Sequence, residues 1–244
     1  MISDIASCRM TFFITAGLLA VGSCIIIFFV KEDFERKPVT ESFFRQIIPD
    51  FSPIKASKEL SILLILMGVV QGANSVVSPV LPLYIQEMSP DATLVGSTTG
   101  LIIGLSGLAS ALAAAGIGKV SRRLGYRRVL LSCTLGAGLL TLPQGFVDTP
   151  MQLLVFKIGG GIFLGGTMPS INAMIALRAD PEKQGSIYGL STSISAVGTS
   201  VGPMVGSGIA AIAGFPPIFI VTAGILGLAS LFVAGGTRSI PQEQ

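Results

Sequence analysis

The sequence of 244 residues contains no histidine and no tryptophan, and only 3 cysteines and 3 tyrosines. Without histidine, imidazole metal sites, Ser-His-Asp triads and histidine proton relays are excluded. The cysteines, Cys8, Cys24 and Cys133, lack metal-ligand spacing and are interpreted as small buried residues without a disulfide framework. No motif indicates a catalytic nucleophile with its base, a nucleotide-binding loop or a metal cluster. We therefore expect no enzyme activity, no metal and no cofactor.

Charged residues are also scarce. They make up 12% of the chain, whereas 50% is hydrophobic and the mean hydropathy is +0.78. A water-soluble domain needs a polar surface that this composition cannot supply. The net charge of +3 is concentrated beside apolar stretches, which favours contact with membrane lipids over nucleic acid. The composition therefore predicts a membrane protein.

Seven apolar stretches have about the 20 residues that cross a bilayer as a helix. They cover 11–30, 60–85, 94–117, 129–147, 151–177, 187–213 and 217–235. We predict an all-α membrane protein with about seven transmembrane helices. Residues 1–30 hold the first helix, residues 31–59 form a polar cytoplasmic linker, and residues 60–244 form a six-helix block.

Basic residues orient these helices. Lys and Arg occur in the linker, between the third and fourth spans (118–128), between the fifth and sixth (178–183), and after the last, at Arg238. The alternate connections around 87–91, 148 and 214–217 contain neither. The positive-inside rule therefore places the basic segments in the cytoplasm and the N-terminus outside. A complete protein and a fragment of a longer chain would both fit this arrangement.

Residues on one face of the second and one face of the fifth span, all polar except Met168, are the candidate substrate contacts. They are Gln71, Asn74, Ser75, Ser78, Lys157, Met168 and Asn172. Polar groups do not face lipid unsatisfied, so the two faces indicate a cavity wall or hydrogen bonds between helices. For Lys157, snorkelling to the outer interface is the alternative. Pro79, Pro82 and Pro169 predict that both helices are interrupted at corresponding positions of two three-helix repeats.

Two motifs then suggest a family. The basic loop follows the pattern G-x-L-a-D-R-x-G-R-R, with Arg122 in place of the Asp; its residues are Gly118, Arg122, Arg123, Gly125, Arg127 and Arg128. The second motif has the spacing G-x8-G-x3-G-P-x2-G-G, with Ser207 for the last Gly; its residues are Gly189, Gly198, Gly202, Pro203 and Gly206. Close helix packing alone would also explain glycines spaced by four, as in Gly96, Gly100 and Gly104. The chain resembles a drug:proton antiporter of the major facilitator superfamily. Its first predicted helix corresponds to the sixth helix of such a transporter, and the resemblance continues from there to the end of the chain.

This resemblance implies a twelve-helix fold of which the first five helices are absent here. It implies a multi-pass protein of the bacterial plasma membrane whose second and fifth spans line the transport cavity. No span contains Asp or Glu, and in this family proton coupling depends on the N-terminal half, so the chain alone is not expected to pump. The expected function is proton-coupled export of drugs or amphipathic compounds, and the expected partners are lipids, small amphipathic substrates, protons and the missing N-terminal half. The alternatives are a sugar or metabolite carrier of the same superfamily, and a non-transporting membrane remnant or assembly partner.

Overall fold

A computed structural model describes residues 8–29, 57–89, 94–180 and 183–236 of the chain. Their secondary structure is helical, which confirms the predicted all-α fold. The helices are α1 (Cys8–Phe29), α2 (Lys58–Val77), α3 (Leu81–Met88), α4 (Val95–Leu124), α5 (Tyr126–Thr141), α6 (Pro150–Ala176), α7 (Gln184–Ala213) and α8 (Pro216–Gly236), with a 3-10 helix at Leu142–Phe146 after α5.

Contacts divide the chain into two compact units, residues 1–48 and residues 49–244. The first unit contains α1, a 22-residue helix at the position of the first predicted span. Its apolar part, Phe12–Phe28, is shorter than the other candidate spans. That α1 crosses the membrane stays a prediction. So does the linker over 31–59, most of which lies outside the described residues.

The second unit contains six helices that are long and apolar enough to cross a membrane. They are Lys58–Met88, Val95–Leu124, Tyr126–Phe146, Pro150–Ala176, Gln184–Ala213 and Pro216–Gly235. The first of them joins α2 to α3, and the third joins α5 to the 3-10 helix. The predicted six-helix block is therefore confirmed.

The two predicted helix interruptions have different outcomes. The second span is interrupted, because α2 ends at Val77 and α3 begins at Leu81, with Pro82 in its first turn. The fifth span is not interrupted: α6 continues through Pro169. A proline leaves a carbonyl group one turn earlier without its donor, and transmembrane helices tolerate this when nearby groups compensate. The carbonyl that Pro169 leaves without its donor is that of Gly165, and α6 continues on both sides of it.

The basic segment 118–128 is mostly helical rather than a loop. Helix α4 extends to Leu124, beyond the predicted end at residue 117, and α5 begins at Tyr126. The turn is therefore the single residue Gly125, with φ +88°, a conformation that favours glycine. Helix α4 continues because its last turns contain no proline, and Arg122 and Arg123 stabilise the negative end of the helix dipole.

The six spans of the second unit pack in a pattern with internal symmetry. Helix α7 packs on α2 just as α4 packs on α6, and α8 packs on α2 just as α5 packs on α6. Helices α5 and α8 also pack on each other. Exchanging the first three spans for the last three reproduces the same set of contacts. This is the pattern expected for two three-helix repeats.

Hydrogen bonds at the ends of the spans join neighbouring helices in pairs. The Arg178 guanidinium donates to the Glu59 carboxylate at 2.7 Å, which joins the end of α6 to the start of α2. Arg127 donates to the Ala234 carbonyl oxygen at 2.6 Å, which joins the start of α5 to the end of α8. At the opposite end of the spans, the Tyr84 hydroxyl donates to the Gln144 carbonyl oxygen at 3.0 Å. Of the basic segments predicted to share one side of the membrane, the described parts around Arg127 and Arg178 thus lie at one end of the bundle.

Candidate substrate-binding cavity

A cavity of about 270 Å³ lies between the helices of the second unit. Its lining comes from every span except α7. The lining residues are Ala73, Asn74, Val77, Ser78, Leu81, Ile103, Ser106, Gly107, Ser110, Thr141, Gln144, Lys157, Gly160, Gly161, Leu164, Thr222 and Leu226. The volume is slightly below the range of about 300–1,000 Å³ that is usual for small-molecule sites. The lining combines apolar side chains with amides, hydroxyls and one amine, so it suits an amphipathic ligand.

Three of the seven candidate substrate contacts line this cavity: Asn74, Ser78 and Lys157. They come from the end of α2 and from α6, so the structure brings the two predicted polar faces together.

The other four candidates lie outside the lining. Ser75 faces α7, where its Cβ would be 2.7 Å from a Cβ built on Gly202. Met168 packs against the apolar cluster that contains Ile171 and Met174. Asn172 is exposed, and Gln71 is half-buried one turn before Asn74. Whether any of them contacts a substrate stays a prediction.

Five polar residues of the lining are not among the residues predicted from the sequence: Ser106, Ser110, Thr141, Gln144 and Thr222. For Ser106 and Ser110 there was a signal, because they share one helical face with Ile103 and Gly107. The other three are single polar residues in apolar sequence, and nothing in their spacing distinguishes them from residues that only bond their own helix.

Gln144 fixes one corner of the cavity. Its side chain is 2% exposed, and its Nε2 donates to the Leu140 carbonyl at 2.8 Å and to the Phe156 carbonyl at 3.5 Å. The amide thus connects the 3-10 helix to α6 immediately before Lys157. Buried amides with satisfied donors hold a fixed orientation. Gln144 therefore helps to set the position of α6 at the depth of Lys157.

Lys157 provides the charge of the cavity. It lies seven residues after Pro150, the first residue of α6, which is about 10 Å along the helix axis at 1.5 Å per residue. No described residue forms an ion pair or a hydrogen bond with its ammonium group, and the lining contains no Asp or Glu. The lining therefore carries a single positive charge.

One wall of the cavity is formed where α4 contacts α6 through small residues. A Cβ built on Gly161 would lie 2.6 Å from the carbonyl oxygen of Ser106, and one built on Gly165 would meet the carbonyl oxygen of Ser110. Gly161 and Gly165 therefore allow the α6 backbone to contact α4 directly. Lys157 precedes Gly161 by one turn on the same face, so its side chain enters the cavity where this row of glycines ends.

The glycines of the second sequence motif do not reach the cavity. Gly198, Gly202 and Gly206 lie against α2, where added Cβ atoms would meet backbone oxygens of Gly68, Gly72 and Val76. They are helix-contact residues in this structure. Gly189 and Pro203 also lie on α7, which contributes nothing to the lining, and a Cβ at Gly189 would meet nothing within 4 Å. An added Cβ would likewise meet nothing at Gly100 and Gly104, which are not sites of close packing.

The basic motif residues also lie away from the cavity. Gly118, Arg122 and Arg123 belong to the last turns of α4, whereas Gly125, Arg127 and Arg128 form the turn and the start of α5. Among the described residues, no group of three or more His, Cys, Asp or Glu side chains could hold a metal ion.

Comparisons with known proteins agree with this architecture. A sequence model of the Major Facilitator Superfamily matches residues 63–242. The chain is 29% identical over 226 residues to "Multidrug resistance protein MdtG" of Citrobacter koseri, and 28% identical over the same length to the protein of that name from Salmonella typhimurium. Each alignment covers 93% of this chain and 55% of the relative. The chain thus spans about half the length of the curated relatives it matches.

Proposed function

We propose that this chain, which belongs to the Major Facilitator Superfamily, exports drugs and other amphipathic compounds in exchange for protons, together with an N-terminal half to which α1 belongs. Membership of this superfamily makes the chain a transporter and a multi-pass protein of the inner membrane rather than an enzyme. The substrate class, the direction of transport and the coupling ion are the proposed part. In this proposal, export proceeds by rocking of the two halves about the cavity.

The observation that carries the proposal is the cavity between the spans. Its lining places Asn74, Ser78 and Lys157 beside apolar residues such as Val77 and Leu164. A molecule with a polar group and an apolar body finds complementary contacts on such a surface. The names of the two relatives support drugs as the amphipathic compounds.

Two helices support the need for a second half. In their most apolar stretches, only 6% of the residues of α4 and 11% of those of α7 are buried, against 33% to 50% for the other four spans. Lipid could cover these faces, but the relatives contain about as much additional sequence as this chain contributes. We infer that the additional half packs against α4 and α7 and completes the cavity.

Drug resistance in an efflux-deficient bacterial strain tests the proposal. We expect no protection from this chain alone. Joined to the N-terminal helices of the Citrobacter koseri relative, it should raise the inhibitory concentration of amphipathic drugs, and a proton uncoupler should remove this effect. Equal protection by the chain alone would contradict the need for a second half, and protection that survives the uncoupler would contradict proton coupling.

A matched pair of variants on α2 locates the site. Asn74→Leu should abolish the protection, because Asn74 lines the cavity. Gln71→Leu, one turn earlier on the same helix and outside the lining, should retain it. Immunoblots of membranes should show equal amounts of both variants. The reverse order of effects would mean that the transported molecule does not use this cavity.

A further inference from the structure

We propose that the cavity is selective for amphipathic molecules that carry one anionic group, a carboxylate, sulfonate or phosphonate, and that Lys157 binds this group. The inference rests on the proposed function, because it takes the cavity as the binding site and adds the charge of its ligand.

The charge of the lining favours an anion. Lys157 carries the only formal charge among the lining residues, and no described residue pairs with it. An unpaired ammonium at membrane depth is unfavourable. A bound anion supplies the missing partner, whereas a cation adds a second positive charge in a partly desolvated space.

The hydrogen-bond donors of the cavity lead to the same conclusion. Several lining hydroxyls donate to carbonyls of their own helices: Ser106 to Ile103 at 3.1 Å, Thr141 to Ala137 at 2.7 Å, and Thr222 to Ile218 at 2.8 Å. Such hydroxyls have already used their single hydrogen.

Three lining side chains have donors that no described residue engages. They are Lys157 on α6, Asn74 on α2 and Ser110 on α4. They come from three different helices that line the cavity. An anionic group with two or three oxygens accepts from several donors at once, and charge-assisted hydrogen bonds are the strongest of this kind.

The rest of the lining sets the other requirement for the ligand. Val77, Leu81, Ile103 and Leu226 form an apolar surface across the same cavity. Burial of a ring against this surface supplies affinity without adding charge. A volume of about 270 Å³ holds a small ring system with one charged substituent.

Binding to the purified 244-residue chain in lipid nanodiscs tests the inference. The probes are naphthoate, naphthylmethylammonium and naphthylmethanol, which share one fluorescent ring system and differ in charge. At neutral pH we expect naphthoate to bind most tightly, the alcohol more weakly and the ammonium least. Empty nanodiscs measure the partition of each probe into lipid.

Three variants assign the selectivity to a residue. Lys157→Met should weaken naphthoate binding by about 10- to 100-fold, the range of one charge-assisted hydrogen bond, and leave the alcohol unchanged. Lys157→Arg should keep naphthoate affinity within about threefold, because the charge remains. Lys119→Met removes one charge from α4 outside the cavity and should have no effect.

The possible results are distinguishable. If the chain prefers the ammonium or the alcohol, or if Lys157→Met leaves naphthoate binding unchanged, the inference is wrong while the cavity remains a binding site. If none of the three probes binds above the empty nanodiscs, the inference is overturned, and the export assay with Asn74→Leu and Gln71→Leu then decides whether the cavity is the transport site.

Discussion

Helices α4 and α7 occupy equivalent places in the two three-helix repeats, yet only α4 lines the cavity. Both are 30 residues long and little buried, and each packs on the first helix of the other repeat. The difference lies in the surfaces that meet. Between α2 and α7, glycines are present on both helices, with Gly198 against Gly68 and Gly72. Between α4 and α6, Gly161 and Gly165 face serines.

The rest of the difference lies at one position, which is one turn before Gly72 on α2 and one turn before Gly161 on α6. On α2 the residue one turn before Gly72 is Gly68, and the Ile194 side chain of α7 packs directly over it. On α6 the residue one turn before Gly161 is Lys157, whose side chain lines the cavity. The same packing position thus gives a closed apolar contact in one repeat and the wall of a polar cavity in the other. The sequence difference that matters most is a lysine on α6 where α2 has a glycine.

The largest expected effect comes from adding bulk to the two glycine contacts. Gly206→Val and Gly165→Val should each lower the stability of the purified protein by about 3 kcal/mol or prevent its folding, because the new side chain meets a backbone carbonyl that cannot move aside. Thermal unfolding in detergent, followed by circular dichroism, measures the change.

Each of these variants has a control on the opposite face of an interface helix. A Cβ at Gly208 on α7 or at Gly104 on α4 meets nothing within 4 Å, so Gly208→Val and Gly104→Val should change stability by less than about 1 kcal/mol. If the controls were as damaging as the interface variants, the two contacts would not be the close packing sites described here.

A smaller effect of opposite sign is expected at Lys157. Lys157→Met should raise the stability by about 1 kcal/mol, because it removes an unpaired ammonium and makes the α4–α6 contact more like the α2–α7 contact. The same unfolding measurement should show no change for Lys119→Met. A loss of stability in Lys157→Met would mean that the amine has a stabilising partner.

The sequence predicted the six-helix block well, since long apolar stretches and alternating basic connections depend on local composition alone. It also predicted the interruption before Leu81, because two prolines lie close together there. It failed at Pro169, because a transmembrane helix can continue through an interior proline, as α6 does.

The cavity was only partly predictable for a related reason. Asn74, Ser78 and Lys157 stand out because polar residues are rare in apolar helices. Gln144 and Thr222 enter the lining through the angles at which their helices pack, which no local pattern encodes. Gln71 and Asn172 share helical faces with residues that line the cavity, but the cavity does not extend far enough along α2 and α6 to reach them. Helical periodicity gives the direction of a side chain, whereas the extent of a cavity depends on the neighbouring helices.

Cysteine protection tests most directly that α4, and not α7, borders the binding site. The 3 native cysteines are first replaced by alanine. A single new cysteine is then introduced, by Ser110→Cys on α4 or by Val201→Cys on α7. Membranes that contain each variant are treated with a water-soluble thiol reagent, with and without naphthoate. We predict that naphthoate slows modification of Ser110→Cys and leaves Val201→Cys unaffected. Equal protection of both positions, or protection of Val201→Cys alone, would contradict the account.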